Sequence, residues 1–225
     1  MIITCQAILF DLDGVLVDST PAVTRVWAKW AAAHGFSPDI MVGMAHGRRS
    51  IETIRAVAPH MDAEKENLNV ERMEIEDREG VTALPGADEI LLALPPERFA
   101  IVTSATRPLA IARMGYAGLP IPPNMITAND VVEGKPFPEP YLTGAALLGF
   151  APEDCVVVED APAGIAAGKQ AGMRVIALQT TYPQAELRKA MVVLRSLADV
   201  NVTSLRHGIA LDVNPLSEVT ARPSI

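Results

Sequence analysis

Short, unbroken apolar runs recur along the chain: "QAILF" (6–10), "FAIVTS" (99–104), "NMITAND" (124–130), "CVVVED" (155–160), "RVIALQT" (174–180) and "MVVLRS" (191–196). Most are bounded by Gly, Pro or polar turns. They do not alternate with polar residues, so they predict strands buried on both faces, as in a parallel sheet. Helical spacing fills most of the gaps, in "RPLAIARMGYA" (107–117), "FPEPYLTGAALLGF" (137–150) and "APAGIAAGKQAGM" (161–173). In the second of these, the prolines suit a helix start. Alternating strand and helix over residues 84–200 predicts an α/β fold with a doubly wound, mostly parallel sheet.

Residues 18–80 follow a different pattern. "PAVTRVWAKWAAAHGF" predicts a helix ending near Gly35; "RRSIETIRAVAPH" and "AEKENLNVERMEIEDREG" predict two more, the last with a charged, exposed face. No strand is expected there. An all-helical insert, residues 17–82, therefore divides an α/β domain made of residues 1–16 and 83–225. The chain is expected to return near "TALPGA" (82–87), where Pro and Gly punctuate it. The tail beyond about residue 203 is weakly patterned and is expected to be peripheral.

Composition narrows the function classes. The chain has 225 residues, is 49% hydrophobic and carries a net charge of −8. That suits a core domain with a smaller insert, and it opposes nucleic-acid binding, which needs a basic face. Cys5 and Cys155 lie in apolar runs and read as buried thiols in a reducing compartment. Neither a secretory leader nor an apolar run long enough for a membrane helix is evident. A soluble, cytoplasmic protein without a membrane partner is expected, and a monomer would serve.

The candidate chemistry gathers where strands end. The first run stops at Asp11-Leu12-Asp13-Gly14, the second at Thr103-Ser104 and the fourth at Glu159-Asp160. Open α/β sheets bind ligands beyond the carboxyl ends of their strands. Converging carboxylates repel unless a hard cation joins them, and Mg²⁺ takes oxygen ligands together with substrate phosphate. A polar turn is the plainer reading of Asp-x-Asp-Gly alone; a second acidic strand end favours the metal. One aspartate can attack phosphorus and a second can move the proton. Lys135, between Gly134 and Pro136, can supply a cation to phosphate or to the nucleophile, although a solvated loop lysine is the plainer reading. "GIAAGKQAG" lacks the spacing of a nucleotide-binding loop, so Gly164, Gly168 and Gly172 read as close helix packing. Trp27 and Trp30 read as core and His34 as a helix end. "HGRRS" (46–50) is a basic cluster in the helical insert, either a solvated helix start or a substrate contact through His46 and Arg49.

Taken in order, "DLDGV", "TSAT", "GKPFPEPYL" and "VVVEDAPAGIAAG" resemble the motifs of haloacid dehalogenase-superfamily phosphatases over nearly the whole chain. The helical insert resembles that family's small α-helical cap on a Rossmann-like core. "HGRRSIETI" and "ITANDVVEGKPFPEPYLTG" are most similar to glycerol-3-phosphatases and related sugar-phosphate phosphatases. The resemblance implies Asp11 as nucleophile and Asp13 as acid/base, with the Asp13 carbonyl also meeting Mg²⁺. It implies Ser104 and Lys135 on the transferring phosphoryl group, Asp160 on the metal, and Glu159 on it directly or through water. The implied partner is a small phosphorylated metabolite. Val15 stands where many members have threonine, and valine there also occurs in β-phosphoglucomutases. Those mutases usually carry a histidine in the first cap helix; Val23 takes that place here, which favours a hydrolase over a mutase. A sugar-phosphate sensor on a retired scaffold is disfavoured by the complete motif set.

Overall fold

The computed structural model describes residues 1–38, 41, 47–205 and 208–216. Its centre is a six-stranded sheet built from β2 (Ala7–Phe10), β5 (Phe99–Val102), β6 (Met125–Ile126), β7 (Cys155–Glu159), β8 (Arg174–Leu178) and β9 (Val192–Leu194). The spatial order is β6-β5-β2-β7-β8-β9, and every neighbouring pair is parallel. Each strand is one of the six unbroken apolar runs, and β2, β5 and β7 are buried at every position.

Alternate residues feed two cores. On one face Ile8, Phe10, Ile101 and Val158 pack against Ile90 and Leu91 of α4 (Ala87–Ala93) and Ala110 and Met114 of α5 (Arg107–Tyr116). On the other, Leu9, Val102 and Val157 meet Tyr141 and Ala145 of α6 (Glu139–Leu148) and Ile165 of α7 (Pro162–Gln170). The short α8 (Gln184–Leu187) adds Leu187 to that second face. Period-two side chains on a strand require this division, which makes the sheet doubly wound.

The helical stretch leaves and rejoins this core through an antiparallel neck, β3 (Val17–Asp18) against β4 (Thr82–Ala83). Between them stand α1 (Thr20–His34), α2 (Ser50–Val57) and α3 (Ala63–Glu76). Pro21 opens α1, and Gly35 closes it in the left-handed conformation at φ 76°. The block has its own small core, in which Trp27 and Trp30 meet edge-to-face, their ring centres 5.7 Å apart. Among the described residues no helix is long and apolar enough to cross a membrane.

The C-terminal segment differs from expectation. β10 (Val200–Leu205) and β11 (Gly208–Val213) join β1 (Ile2–Cys5) in an antiparallel sheet of order β1-β11-β10. Ile209, Leu211 and Val213 alternate into the main core with Ile3 and Cys5. The segment is structural because that apolar face is buried in the core; its signal is weak because a strand buried on one face is less uniformly apolar than a doubly buried one. Leu211→Ala is therefore expected to cost about 2–5 kcal/mol in denaturant unfolding. A cost of a few tenths would mean the segment is peripheral after all.

Candidate active site

The parallel register brings the predicted acids together. Phe10 pairs with Val158, and the Asp11 N–H donates to Val158 O at 3.0 Å, so β2 and β7 end side by side. Asp11 follows β2, Glu159 ends β7 and Asp160 follows it; one oxygen from each lies within 4.8 Å of the others. All three are buried. Gly14, at φ 77°, turns the chain so closely over this cluster that a Cβ there would overlap the Asp160 carboxylate.

Lys135 enters from the loop before α6. Its Nζ donates to Val102 O at 3.0 Å, and it lies 2.8 Å from Glu159 Oε1 and 2.9 Å from Asp11 Oδ1. Burial alone would lower its pKa, but the Asp11 and Glu159 charges outweigh burial and raise it, so it stays charged. Glu159 is fully engaged. Besides Lys135, Oε1 accepts from Tyr141 Oη at 2.8 Å; Oε2 accepts from the backbone N–H groups of Asp160 and Ala161 at 3.0 and 3.1 Å. The other two acids are less satisfied. Asp11 Oδ1 touches Lys135 without hydrogen-bond alignment, and the buried Asp160 Oδ1 has no hydrogen-bond partner among the described residues. Burial pushes Asp11 up to about 7 despite Lys135. Burial, with Glu159 and Asp11 beside it, holds Asp160 well above the usual carboxylate range.

Asp13 is turned away from that cluster. Its Oδ1 accepts from Ser19 Oγ at 2.6 Å and its Oδ2 from Arg113 Nη1 at 2.7 Å. Both aspartates of the pair, with Ser104, line a cavity of about 70 Å³ under the helical block. Val23 and Trp27 of α1, Arg48 and Ser50 near the start of α2, Glu71 and Glu74 of α3, and Arg113 of α5 close it.

The basic cluster divides. His46 lies outside the described residues. Arg49 does not line the cavity: Nε pairs with Glu52 at 2.6 Å, and Nη2 donates to Val132 O at 2.7 Å, tying the block to the loop that carries Lys135. Its neighbour Arg48 lines the cavity instead. Adjacent residues ahead of a helix point in different directions, and charge alone does not say which one faces inward. Arg113 and Glu74 also escaped sequence reasoning. Each sits on the apolar stripe of its helix, Arg113 beside Leu109, Ala110 and Met114, and Glu74 four residues after Val70. A charge in a buried register was the available signal. Trp27 is both core and cavity wall. His34 ends α1 and packs at a tilt against Trp30, with Nε2 3.2 Å from Glu66.

The haloacid dehalogenase-like hydrolase family matches residues 5–172, and the chain belongs to that family. It is 45% identical to hexitol phosphatase A of Escherichia coli K12 over 209 residues, 91% of this chain and 97% of that protein. It is 39% identical to glycerol-1-phosphate phosphohydrolase 2 of Saccharomyces cerevisiae over 190 residues, 79% of this chain and 76% of that one. The crystal structure of a hydrolase from Pseudomonas syringae matches with a TM-score of 0.77 at 25% identity, over 86% of this chain and 95% of that one.

The α7 glycines serve the site as well as the sheet. A Cβ on Gly168 would press on Val175 and Val157, whereas one on Gly164 would overlap the Glu159 carboxylate. Helix propensity alone gives Gly164→Ala a gain of about 1 kcal/mol. The overlap reverses that sign, and a loss of about 1–3 kcal/mol is expected in chemical denaturation. A raised unfolding midpoint would show that Glu159 yields freely.

Proposed function

We propose that the protein is a divalent-cation-dependent phosphomonoesterase for small polyol monophosphates, with Asp11 as covalent nucleophile and Asp13 as acid/base. The observation that carries this reading is that Asp11, paired with Lys135 and beside an Asp160 oxygen without a donor among the described residues, lines the cavity under the helical block.

The donor set suits a hard cation such as Mg²⁺: three carboxylates within reach of one another, with a buried oxygen on Asp160 that has no donor among the described residues. Asp11 and Asp160 would hold the ion. When bound, it supplies positive charge that favours ionised Asp11 and offsets charge on the phosphoryl group. Glu159, engaged by four donors, orients Lys135 and the turn at Asp160.

The chain's own residues then divide the work. Asp11 attacks phosphorus, forming an acyl phosphate as the bond from phosphorus to the ester oxygen breaks. Asp13 gives its proton to the departing oxygen. It then takes a proton from water, whose oxygen attacks phosphorus and releases phosphate and free Asp11. Ser104 and Lys135 hold the phosphoryl oxygens. Helices α1–α3 act as a cap over the cavity, excluding bulk water and meeting the leaving group.

The cap end of the cavity supports a neutral, polyhydroxylated leaving group. Glu71, steadied by the Thr106 hydroxyl, is an acceptor there, and Ser50 adds a hydroxyl. A second phosphate or a carboxylate on the substrate would face Glu71. The hexitol and glycerol phosphate activities in the relatives' names fit the same class. Val23, apolar and on the cavity wall, offers no proton-transfer group, which favours hydrolysis over a mutase cycle.

Phosphate release from glycerol and hexitol phosphates tests the proposal. Asp11→Asn is expected to lose activity by several orders of magnitude while remaining folded. Chelation is expected to abolish turnover and Mg²⁺ to restore it; full activity after exhaustive chelation contradicts the metal assignment. The two arginines separate as well. Arg48→Ala is expected to lower kcat/KM for the polyol ester about ten- to a hundredfold, the usual effect of a lost charged contact. Arg49→Ala should fall clearly less, and the reverse order would return the substrate role to Arg49.

A further inference from the structure

Arg113 is buried on α5, and its two terminal nitrogens serve different parts of the molecule. Nη1 donates to Asp13 Oδ2 at 2.7 Å; Nη2 donates to Glu74 Oε2 at 3.2 Å. Glu74 belongs to α3 of the cap, and its other oxygen accepts from Trp27 Nε1 on α1 at 3.2 Å. A continuous chain of polar contacts, Trp27–Glu74–Arg113–Asp13, thus runs from the cap interior to the proposed proton donor. Only the link from Glu74 to Arg113 crosses between cap and core.

We infer that Arg113 is a positioning residue that aims the Asp13 carboxylate at the leaving oxygen when the cap is docked. This rests on the reading of Asp13 as acid/base. Three physical points carry it. A buried guanidinium is costly to desolvate, and an apolar side chain would fill the same space with less penalty, so its retention calls for a role other than stability. The planar fork holds two carboxylates in fixed directions at once, which the single ammonium of lysine does not. Glu74 and Trp27 belong to the same packed block and move as one with it. With the block docked, Glu74 fixes the guanidinium plane and, through it, Asp13 Oδ2. With the block displaced, that arm is released and Asp13 loses its orientation. Proton delivery depends on placement to within a fraction of an ångström, so it is confined to the closed, water-excluding state.

Glu74→Gln and Arg113→Lys test this in the Mg²⁺-loaded enzyme, with glycerol phosphate and p-nitrophenyl phosphate as paired substrates. Gln keeps an oxygen for Trp27 and removes the charge that orients Arg113. kcat/KM covers only the steps through leaving-group departure, and the nitrophenolate needs little protonation to depart. Each variant is expected to lose about ten- to a hundredfold on glycerol phosphate and less than about threefold on the activated ester, as befits a partial loss of general-acid catalysis. The double variant should be no worse than Arg113→Lys alone, because Glu74 acts through Arg113. Equal losses on both esters would make the chain of contacts a structural strut and overturn the inference, as would no loss on either. Should Arg113→Lys misfold, Glu74→Gln still reads the ratio. Wild-type enzyme that cleaves neither ester would remove the phosphatase reading itself. An active wild type whose ratio is unchanged in the variants would remove only the role of Arg113.

Discussion

Lys135 Nζ lies within 3.0 Å of Val102 O, Asp11 Oδ1 and Glu159 Oε1, and its side chain is almost wholly buried. Three carboxylates, Asp11, Glu159 and Asp160, converge beside that one ammonium. Burying so much negative charge is tolerable only if each oxygen is paired, protonated or reserved for a cation. The surrounding structure meets that demand unevenly. Glu159 receives Tyr141 and two backbone N–H groups; Asp11 and Asp160 are left with unaligned or missing donors. That imbalance underlies the proposed division between Glu159, which orients its neighbours, and Asp11 and Asp160, which would take the phosphoryl group and the metal. It also accounts for the glycines nearby: Gly14 and Gly164 keep Cβ atoms out of the space these carboxylates occupy.

The helical block is joined to the core in a different way from the layers within the core. Its interior is apolar, centred on Trp27 and Trp30. Ala22 of α1 packs into the main core, and hydrogen bonds make further crossings: Arg49 to Val132 O, Tyr116 Oη to Ile75 O at 2.6 Å, Thr106 to Glu71, and Arg113 to Glu74. Bonds of this kind can be exchanged for water when two bodies part, whereas apolar packing has no such substitute. A separate apolar interior joined to the core largely by exchangeable polar contacts suits the proposed role of a cap that admits substrate and then closes over it.

The sequence revealed most about parts whose surroundings are uniform. Strands buried on both faces must be apolar throughout, so all six strands of the main sheet stood out. Their ends carried Asp11, Ser104, Glu159 and Asp160 into view without any knowledge of pairing. The β10–β11 pair did not stand out, because one face of each is wet and polar residues interrupt the apolar positions. Arg113 and Glu74 were hidden for another reason: a charged residue on a helix reads as exposed until its partner, distant in sequence, is known. The two are 39 positions apart, and Asp13 is 100 from Arg113. Glu159 was legible as an acid at a strand end, but its role depends on which donors reach it, and Tyr141 arrives from another segment.

The most direct test of the account is to find where phosphate goes first. An acyl phosphate on aspartate is reduced by borohydride to homoserine, which leaves a permanent mark on the nucleophile. The Mg²⁺-loaded enzyme, quenched during turnover of a polyol phosphate, reduced and digested, is expected to carry homoserine at position 11 and aspartate at positions 13 and 160. Reduction at another carboxylate, or none during verified turnover, would contradict the central claim that the buried Asp11 beside Lys135 is the group that attacks phosphorus.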